Sequence, residues 1–369
     1  MKVLITGAAG FIGRNLYEQL KIMEDMTVYC YDLESNPEDL TNYTKDCDFV
    51  FHLAGINRPK DQKEFMEGNC DFTGKLLEAL EAAGNSCGIA VSSSIQAELD
   101  NPYGLSKKAG EELIRQHAEK AGARAVIYRF PNVFGKWSRP NYNSAVATFC
   151  HNIARDLPIK VNDPSVMMNL VYIDDVCEEL IGAMKKEEHV KDGYGYVPLV
   201  YQVPLGRIPE LLYSFRDSRN TLKLADFREG FEKKLYSTYL SFLPEDGFKY
   251  PLTMHVDNRG SFTEFLKTDE RGQVSVNISH PGIVKGNHWH NTKNEKFLVV
   301  SGKGLIRLRK VGSDKVIEYY VSGDKLEVVD IPCGYTHSIA NIGEGDMTTV
   351  MWVNEIFDPD HADTYYEEV

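Results

Sequence analysis

A serine, a tyrosine and a lysine lie at a spacing that suits proton transfer. Three serines, ending at Ser94, follow the apolar run Ile89–Val91, and Tyr103 precedes Lys107 by four residues. Residues four apart share a helix face, so the lysine ammonium can lower the pKa of the phenol from about 10. Such a phenol can protonate a carbonyl oxygen as a hydride arrives, while a serine hydroxyl polarises the same oxygen. Ser94, Tyr103 and Lys107 are therefore the predicted catalytic residues, with Ser93 as the alternative to Ser94.

A glycine-rich loop near the N-terminus provides a second chemical feature. Its glycines have the G-x-x-G-x-x-G spacing and lie between an apolar run and a helix-like segment. The first permits a tight turn, the second lets the backbone approach a pyrophosphate, and the third allows close packing of helix on strand. We predict a dinucleotide here, bound by the loop residues Gly7, Gly10, Phe11, Ile12 and Gly13.

Two charged residues near this loop bear on the choice of cofactor. Asp32 ends the next apolar run, where an acidic residue commonly accepts hydrogen bonds from the adenosine ribose and disfavours a 2′-phosphate. Arg14 follows the last glycine and could neutralise that phosphate. A biosynthetic reductase usually draws on NADPH, so NADPH is the predicted cofactor, with both residues in contact with it and NAD(H) as the alternative.

Three histidines and a glutamate form the third feature. His288 and His290 lie two apart, which places both on one face of a strand. Glu295 follows across a turn, and His337 lies on a later strand-like run. Three imidazoles and a carboxylate suit a divalent ion such as Zn, Fe, Mn or Ni. We predict one bound divalent metal held by these four residues, with zinc as the first choice.

The elements that must position these residues change character along the chain. Up to about residue 185, short apolar runs alternate with helix-like stretches, which is typical of a parallel sheet covered by helices. A helical pattern over 205–243 precedes a break at Pro244–Gly247. Short β-branched runs then predict an antiparallel barrel. We expect a doubly wound α/β Rossmann-type domain in 1–243 and an all-β barrel in 244–369.

The composition excludes several classes of partner. A formal net charge of -13 among 369 residues argues against binding of nucleic acid or of an anionic membrane. No apolar run approaches the roughly 18 residues that a membrane span needs. The seven cysteines are scattered and form no C-x-x-C pair, so reduced thiols and a cytoplasmic location are expected.

With these motifs in place, about 240 N-terminal residues resemble the extended short-chain dehydrogenase/reductase family. Further matches are Phe51–Gly55, Asn69, Arg129–Gly135 and Tyr172–Val176. The resemblance implies a nucleotide-sugar substrate, with Asn132 near it. It also places further residues beside the cofactor, namely Leu53, Ala54, Gly55, Tyr103 and Lys107. Dehydratases of the family carry an acidic pair after the serine, where this chain has Ile95-Gln96, so 4-keto reduction or 4-epimerisation is expected instead.

The C-terminal part resembles the cupins. The stretches Gly282–Gly302 and Pro332–Asn341 match G-x5-H-x-H-x4-E-x6-G and P-x-G-x2-H-x3-N, with the second motif's leading glycine displaced to Gly323. Residues 257–264 and 285–288 also resemble metal-free sugar 3,5-epimerases, in which His288 would be the general base that removes a proton next to a ketone. If His288 instead binds metal, the candidate proton carriers are Lys296 and Tyr335.

As a whole, the chain resembles the bifunctional capsular-polysaccharide enzymes of the UDP-N-acetyl-L-fucosamine pathway. The resemblance implies that the cupin part epimerises C3 of a UDP-2-acetamido-2,6-dideoxy-4-keto-hexose. The reductase part would then reduce C4 to give UDP-2-acetamido-2,6-dideoxy-L-talose, and a homodimer is expected. The alternatives are a reductase or a 4-epimerase with a structural cupin, and a non-enzymatic nucleotide sensor.

Overall fold

The computed structural model describes residues 1–228 and 230–369, which form two compact units. The first unit comprises Met1–Tyr213 and Gly230–Pro244, and the second comprises Ser214–Glu229 and Glu245–Val369. The expected domains, 1–243 and 244–369, differ from these units in the segment that starts at Ser214. Backbone hydrogen bonds explain the difference, because Lys267 donates to the Leu222 carbonyl at 2.8 Å and accepts from the Leu224 amide at 2.9 Å. Residue 229, within the helical pattern predicted for 205–243, lies outside the described residues.

The first unit contains a seven-stranded, mainly parallel sheet and a smaller three-stranded sheet. Their strands are β1 Lys2–Thr6, β2 Thr27–Tyr31, β3 Phe49–His52, β4 Gly88–Ser94, β5 Ala125–Phe130, β6 Asn132–Phe134, β7 Met167–Tyr172, β8 Val190–Lys191, β9 Tyr194–Gly195 and β10 Tyr201–Pro204.

Helices connect these strands, and one helix, Arg207–Thr221, begins in the first unit and ends in the second. The helices are α1 Phe11–Leu20, α2 Pro37–Thr44, α3 Lys63–Met66, α4 Phe72–Ala82, α5 Pro102–Ala121, α6 Ala145–Ile153, α7 Ile173–Lys185, α8 Arg207–Thr221 and α9 Gly230–Ser241. Short π and 3₁₀ turns are present at Glu67–Asp71, Ile95–Glu98, Glu245–Gly247 and Pro359–His361.

The large sheet has the order β2-β1-β3-β4-β5-β9-β8, with β2 and β3 on opposite sides of β1. In such sheets, the carboxyl ends of the strands on either side of the reversal form a ligand crevice. Both faces of the sheet are covered. Successive side chains of β1 and β3 point to opposite faces and are buried in two different apolar clusters, with Ile5 in one cluster and Leu4 in the other. The expected Rossmann-type α/β fold is confirmed.

Helix α5 carries the predicted catalytic tyrosine and lysine. It starts at Pro102, immediately before the Tyr103–Lys107 pair. The Asn101 side chain accepts a hydrogen bond from the Gly104 amide at 2.8 Å, and proline is favoured in the first helical turn. Tyr103 and Lys107 therefore lie in one helix.

The second unit is built from two antiparallel sheets, of six and five strands, as expected for a cupin barrel. The six-stranded sheet has the order β11-β12-β13-β20-β15-β18 and the five-stranded sheet the order β17-β16-β19-β14-β21. Their strands are β11 Met254–Asp257, β12 Gly260–Thr268, β13 Gly272–Ser279, β14 Val284–Trp289, β15 Glu295–Ser301, β16 Lys303–Lys310, β17 Val316–Ser322, β18 Val328–Ile331, β19 Tyr335–Asn341, β20 Met347–Val353 and β21 Tyr365–Tyr366.

Strand β13 points its polar residues into the barrel. Gln273, Ser275, Asn277 and Ser279 are buried, whereas the valines and isoleucine between them are only half-buried. Residues 274–279 alternate apolar and polar side chains, a pattern typical of a strand, but the alternation does not show which face is inside. Helices with the length and apolar composition of a membrane span are absent from the described part of the chain.

Two glycines of the second unit allow a matched test of its packing. Gly272 (φ +74°) and Gly312 (φ +77°) both have left-handed backbones, but a Cβ at Gly272 would lie 1.9 Å from the Val353 carbonyl oxygen, whereas a Cβ at Gly312 meets nothing within 4 Å. We expect Gly312→Ala to lose roughly 1–2 kcal/mol of stability and Gly272→Ala to lose about 1–3 kcal/mol more. Urea unfolding measures both, and equal losses would contradict the close approach.

Candidate functional site

The glycine loop has the tight geometry that its sequence suggests. Gly7 has φ +72°, and its amide donates to the Tyr31 carbonyl at 2.8 Å. A Cβ at Gly7 would lie 2.7 Å from the Ala54 Cα, and one at Gly13 would lie 2.2 Å from the Gly7 carbonyl oxygen. Larger residues would therefore separate the loop from β3 and from α1. The loop leads directly into the N-terminus of α1, a favourable place for a phosphate.

Asp32 and Arg14 occupy different surroundings. The Asp32 carboxylate accepts from the Ala9 amide at 2.6 Å and from the Leu33 amide at 3.0 Å, which holds it at the glycine loop. The exposed Arg14 guanidinium lies over the Trp137 ring, 4.4 Å from its centre. The carboxylate therefore lies next to the expected nucleotide, and the arginine lies against Trp137.

A cleft of about 610 Å³ opens at the carboxyl ends of the central strands. It brings together most of the predicted reductase residues. Those that line it are Gly7, Gly10, Phe11, Ile12, Gly13, Asp32, Leu53, Gly55, Ser94, Tyr103, Lys107 and Asn132. Arg14 and Ala54 are outside the lining, and Ala54 instead packs against Gly7. The volume is in the range of small-molecule and cofactor sites.

The two candidate serines have different partners. The buried Ser93 hydroxyl donates to Glu111 at 2.5 Å. Ser94 lies beside the phenol of Tyr103 and hydrogen-bonds it, and its hydroxyl also accepts from the Gln96 amide at 3.2 Å. This geometry favours Ser94 as the serine that acts on substrate, and it gives Ser93 a structural bond to Glu111.

The phenol and the ammonium do not interact as the spacing suggested. Burial raises the pKa of Tyr103 above its ordinary value, and the hydrogen bond with Ser94 only partly opposes this. Burial also lowers the pKa of Lys107 to about 8, although Glu111 acts in the opposite direction. The Lys107 ammonium donates to the Ser92 carbonyl at 3.1 Å. The predicted lowering of the phenol pKa by this lysine is therefore absent, and the phenol keeps its proton at neutral pH.

Buried side chains hold the loop that follows β3. The ring of His52 hydrogen-bonds Thr6 at 2.7 Å and Thr73 at 2.8 Å, and burial followed by the charge of Lys107 lowers its pKa to about 3. Asn69 accepts from the Ile56 amide at 2.9 Å and donates to the Ile56 carbonyl at 3.0 Å. Neutral groups thus fix the backbone that faces the expected cofactor.

Several residues of the cleft were not predicted from the sequence. Trp137, Arg139 and Tyr142 follow the motif that ends at Gly135, and the Arg139 guanidinium lies 5.1 Å from the centre of the Tyr142 ring. Trp137 has a positive φ of 68° and is 41% exposed. The available signal was two aromatic rings and an arginine within a short, otherwise polar loop, a composition suited to contact with a nucleotide or sugar.

The four predicted metal ligands come together in the second unit. One ligand atom from each of His288, His290, Glu295 and His337 lies within 4.8 Å of the others. The Glu295 carboxylate is 3.0 Å from His337 Nε2 and 3.6 Å from His290 Nε2. These nitrogens and that carboxylate oxygen are buried, yet they have no hydrogen-bond partner. Since buried polar atoms are normally satisfied, this donor set fits a shared divalent cation.

Electrostatics within this cluster favour a charged carboxylate and one neutral imidazole. Burial alone would raise the pKa of Glu295, but its contacts with His290 and His337 lower it to about 2. Burial and the two neighbouring histidines lower the pKa of His288 to about 4. Deprotonated carboxylate and neutral imidazole are the forms that bind metal.

Of the two candidate proton carriers, one points out of the barrel and the other packs against its core. Lys296 follows Glu295 in β15, so its side chain points outward, where it pairs with Asp330. Its proposed role in proton transfer within the barrel was therefore wrong, because a strand alternates its side chains. Tyr335 lies two residues before His337 in β19 and packs against the barrel core. It remains a candidate.

Two family models match the chain. The NAD dependent epimerase/dehydratase family matches residues 3–197, and the polysaccharide biosynthesis C-terminal domain matches residues 255–365. The first covers more than half of the chain and includes the glycine loop, the serines and the Tyr103–Lys107 pair. The second includes all four candidate metal ligands.

Relatives of full length are similar to the chain from end to end. A UDP-2-acetamido-2,6-beta-L-arabino-hexul-4-ose reductase of Pseudomonas aeruginosa is 47% identical over 365 residues, which cover 99% of this chain and 98% of the relative. The crystal structure of the capsular polysaccharide assembling protein CapF from Staphylococcus aureus has a TM-score of 0.95 and 54% identity, with 100% of both chains covered.

A more distant structure shares only the fold. The UDP-glucuronic acid 4-epimerase from Bacillus cereus in complex with NAD has a TM-score of 0.56 and 20% identity, and the match covers 66% of this chain and 96% of that one. The chain thus belongs to the NAD dependent epimerase/dehydratase family and carries, after that family's nucleotide-binding fold, a polysaccharide biosynthesis C-terminal domain.

Proposed function

We propose that the chain is a bifunctional nucleotide-sugar enzyme of capsular polysaccharide synthesis. Its second unit epimerises C3 of a UDP-2-acetamido-2,6-dideoxy-4-keto-hexose, and its first unit reduces the C4 ketone to give UDP-2-acetamido-2,6-dideoxy-L-talose. The observation that carries the proposal is one cleft with the glycine loop, Ser94, Tyr103 and Lys107. Similarity to a named 4-ulose reductase over nearly the whole chain supports the substrate class.

The residues of the cleft divide the work of ketone reduction. A nicotinamide cofactor bound at the glycine loop would supply the hydride to C4. Because its pKa is raised, Tyr103 keeps a proton that it can give to the ketone oxygen. Ser94 hydrogen-bonds the phenol and can donate to the same oxygen. Lys107, with a pKa of about 8, can exchange a proton near neutral pH, and Asn132 lines the part of the cleft assigned to the sugar.

NADPH is the proposed cofactor, and NADH is the alternative. The Asp32 carboxylate is engaged by the amides of Ala9 and Leu33, which limits its freedom to bind both ribose hydroxyls. The exposed Arg14 follows the glycine loop and can reach a 2′-phosphate by leaving the Trp137 ring. An arginine next to this loop is a common means of accommodating that phosphate.

The second unit is proposed to use a zinc ion held by His288, His290, Glu295 and His337. Bound there, a divalent cation would act as a Lewis acid that polarises a ketone and favours loss of the neighbouring proton. Tyr335, on the same strand face as His337, is the proposed proton carrier. If the unit works without metal, His288 is the alternative general base. The buried polar side chains of β13, on the same side of the sheet as Glu295, can bind a polar sugar.

The order of the two reactions follows from their chemistry. A ketone at C4 acidifies the C3 proton, and reduction removes that ketone. Epimerisation must therefore come first. Reduction then makes the new configuration at C3 permanent, because the alcohol no longer promotes exchange of the proton.

A cytoplasmic homodimer is also proposed. All seven cysteines are free thiols, as expected in a reducing compartment. On the outer face of the six-stranded sheet, paired positions of four neighbouring strands form an apolar row, consisting of Val276, Val350, Leu298 and Val328. All four are at least partly exposed. A row of this kind across neighbouring strands suits a second copy of the chain.

The reductase assignment predicts different effects for the two neighbouring serines. We expect Tyr103→Phe to lower kcat for C4 reduction by about 10²–10⁴-fold, because the proton donor is lost, and Ser94→Ala to lower it by at least about tenfold. Ser93→Ala is the matched control and should cost about 1.5–3 kcal/mol of stability, because it removes a hydrogen bond to the buried Glu111 carboxylate. Steady-state kinetics and urea unfolding give these values. A Ser93→Ala variant that is as inactive as Ser94→Ala would contradict the assignment.

The metal assignment predicts about one equivalent of divalent metal per chain in the purified protein. His288→Ala and His337→Ala should each abolish stoichiometric binding, since each removes one of four donors. His280→Ala is the control, because His280 lies in the same unit, is exposed and pairs with Asp346 at 2.8 Å outside the cluster. Elemental analysis after dialysis measures the metal content per chain of the wild type and of each variant. Retention of metal in both cluster variants would exclude the site.

The two activities can be separated in deuterated water. We expect the wild-type chain, incubated with a UDP-4-keto-6-deoxy-HexNAc and no nicotinamide, to incorporate deuterium at C3, as measured by NMR. Tyr103→Phe should keep this exchange and lose reduction, whereas His337→Ala should lose the exchange and still reduce ketone that has already been epimerised. No exchange by the wild type would leave a reductase with a structural second unit.

A further inference from the structure

The end of the chain packs against the loop that carries the metal ligands. Strand β21, Tyr365–Tyr366, pairs with His288 and Trp289 of β14, and the Tyr365 ring stacks on that of Trp289 at 4.8 Å. The preceding residues approach the loop 290–294, which connects the first two histidines with Glu295. The tail from Asp358 onward is thus a neighbour of the metal site, although it belongs to neither cupin motif.

Asp363 anchors this tail to the loop through its carboxylate. Its oxygens accept from three successive amides, those of Asn291 at 3.0 Å, Thr292 at 2.8 Å and Lys293 at 3.1 Å, and from the Thr292 hydroxyl at 2.9 Å. Partial burial raises the pKa of Asp363, but the amides hold it well below its usual range, so the carboxylate stays ionised at neutral pH. Charge-assisted bonds of this kind are about twice as strong as neutral ones.

The main chain of the same residue contacts a metal ligand. The Asp363 carbonyl oxygen lies 2.6 Å from His290 Nδ1. A carbonyl oxygen can only accept, so Nδ1 carries the proton, and in the neutral ring that binds metal Nε2 then presents its lone pair. Nε2 is the atom that faces Glu295 and lacks a hydrogen-bond partner. The contact thereby selects the tautomer and the ring orientation that metal binding requires.

Asp363 adopts a backbone conformation that its bonds must maintain. Its φ is +38°, in the left-handed region, which costs energy for a residue other than glycine. The Lys293 ammonium also donates to the Ala362 carbonyl, and the Gly334 amide of the second cupin motif donates to the His290 carbonyl at 2.9 Å. The loop is therefore held by the tail on one side and by the second motif on the other.

We propose that Asp363 is a positioning residue of the metal site, which holds His290 in its ligating tautomer and orientation through its carbonyl while its carboxylate fixes the ligand loop. The inference rests on the proposed metal site and adds a residue to it. It makes the C-terminal tail part of the site.

The test measures Zn²⁺ affinity of the full-length chain by competition with a chromophoric chelator. Loss of a partner that orients a metal ligand typically lowers affinity by about 10–100-fold, so we expect Asp363→Ala to raise the Kd by that factor. Asp358→Ala is the matched control, because this carboxylate lies in the same tail but accepts from Asp360 and His361 instead of the ligand loop. Its Kd should stay within about twofold of the wild type.

Two further measurements separate positioning from folding. The visible absorption of the Co²⁺-loaded chain should change in Asp363→Ala and not in Asp358→Ala, which a general loss of stability would not produce. Asp363→Asn keeps an acceptor oxygen and should give a Kd between those of the wild type and the alanine variant. If Asp363→Ala does not fold, the Zn²⁺ Kd of Asp363→Asn is the test. A Kd of Asp363→Asn equal to that of the wild type would then overturn the proposal.

The outcomes distinguish this inference from the site on which it rests. If the wild-type chain binds no Zn²⁺, the metal site and the role of Asp363 both fail. If His337→Ala abolishes binding while Asp363→Ala binds as tightly as the wild type, with an unchanged Co²⁺ spectrum, only the role of Asp363 is wrong. Equal weakening by Asp358→Ala would also overturn it, since the effect would then belong to the tail in general.

Discussion

A buried carboxylate must be compensated by charge and by hydrogen bonds, and in the reductase unit this requirement falls on Glu111. Arg129 donates to both of its oxygens, at 2.9 and 2.6 Å, and Ser93 donates at 2.5 Å. These bonds join α5, which carries Tyr103 and Lys107, to β4 and β5. The relative placement of the proposed catalytic groups therefore depends on a charge that has no contact with the sugar in the proposed mechanism.

The second unit also contains a carboxylate with a buried oxygen, that of Glu295, but the polar groups around it are not all satisfied within the protein. Some polar side chains of β13 are satisfied within the barrel, as where Asn277 accepts from Lys285 at 2.6 Å. The cluster around Glu295 gathers several unsatisfied atoms at one point, because Nε2 of His290 and both ring nitrogens of His337 are buried without hydrogen-bond partners. Buried polar groups that lack hydrogen-bond partners within the protein, and that lie close together, are suited to binding a ligand. The contact of Asp363 with the remaining nitrogen of His290 fits this interpretation, since it leaves Nε2 as the ligand atom.

The proposed reactions give a chemical reason for one chain to carry both units. Removal and return of a proton next to a ketone is reversible, so epimerisation alone yields a mixture. Reduction of the ketone traps the epimer that the reductase accepts. The specificity of the first unit would then determine the composition of the product, while the second unit would only need to interconvert the two epimers quickly.

The sequence by itself determined the features that depend on short-range spacing. The glycine loop, the Tyr103–Lys107 pair, the four candidate ligands and the two fold classes all follow from local periods and motifs. Tertiary structure alone decided that Ser93 bonds to Glu111, that Lys296 points outward, that β13 buries its polar face and that Asp363 reaches His290. Each of these depends on contacts between residues far apart in the chain. Such contacts leave no local pattern, because alternation defines two faces of a strand without showing which of them is inside.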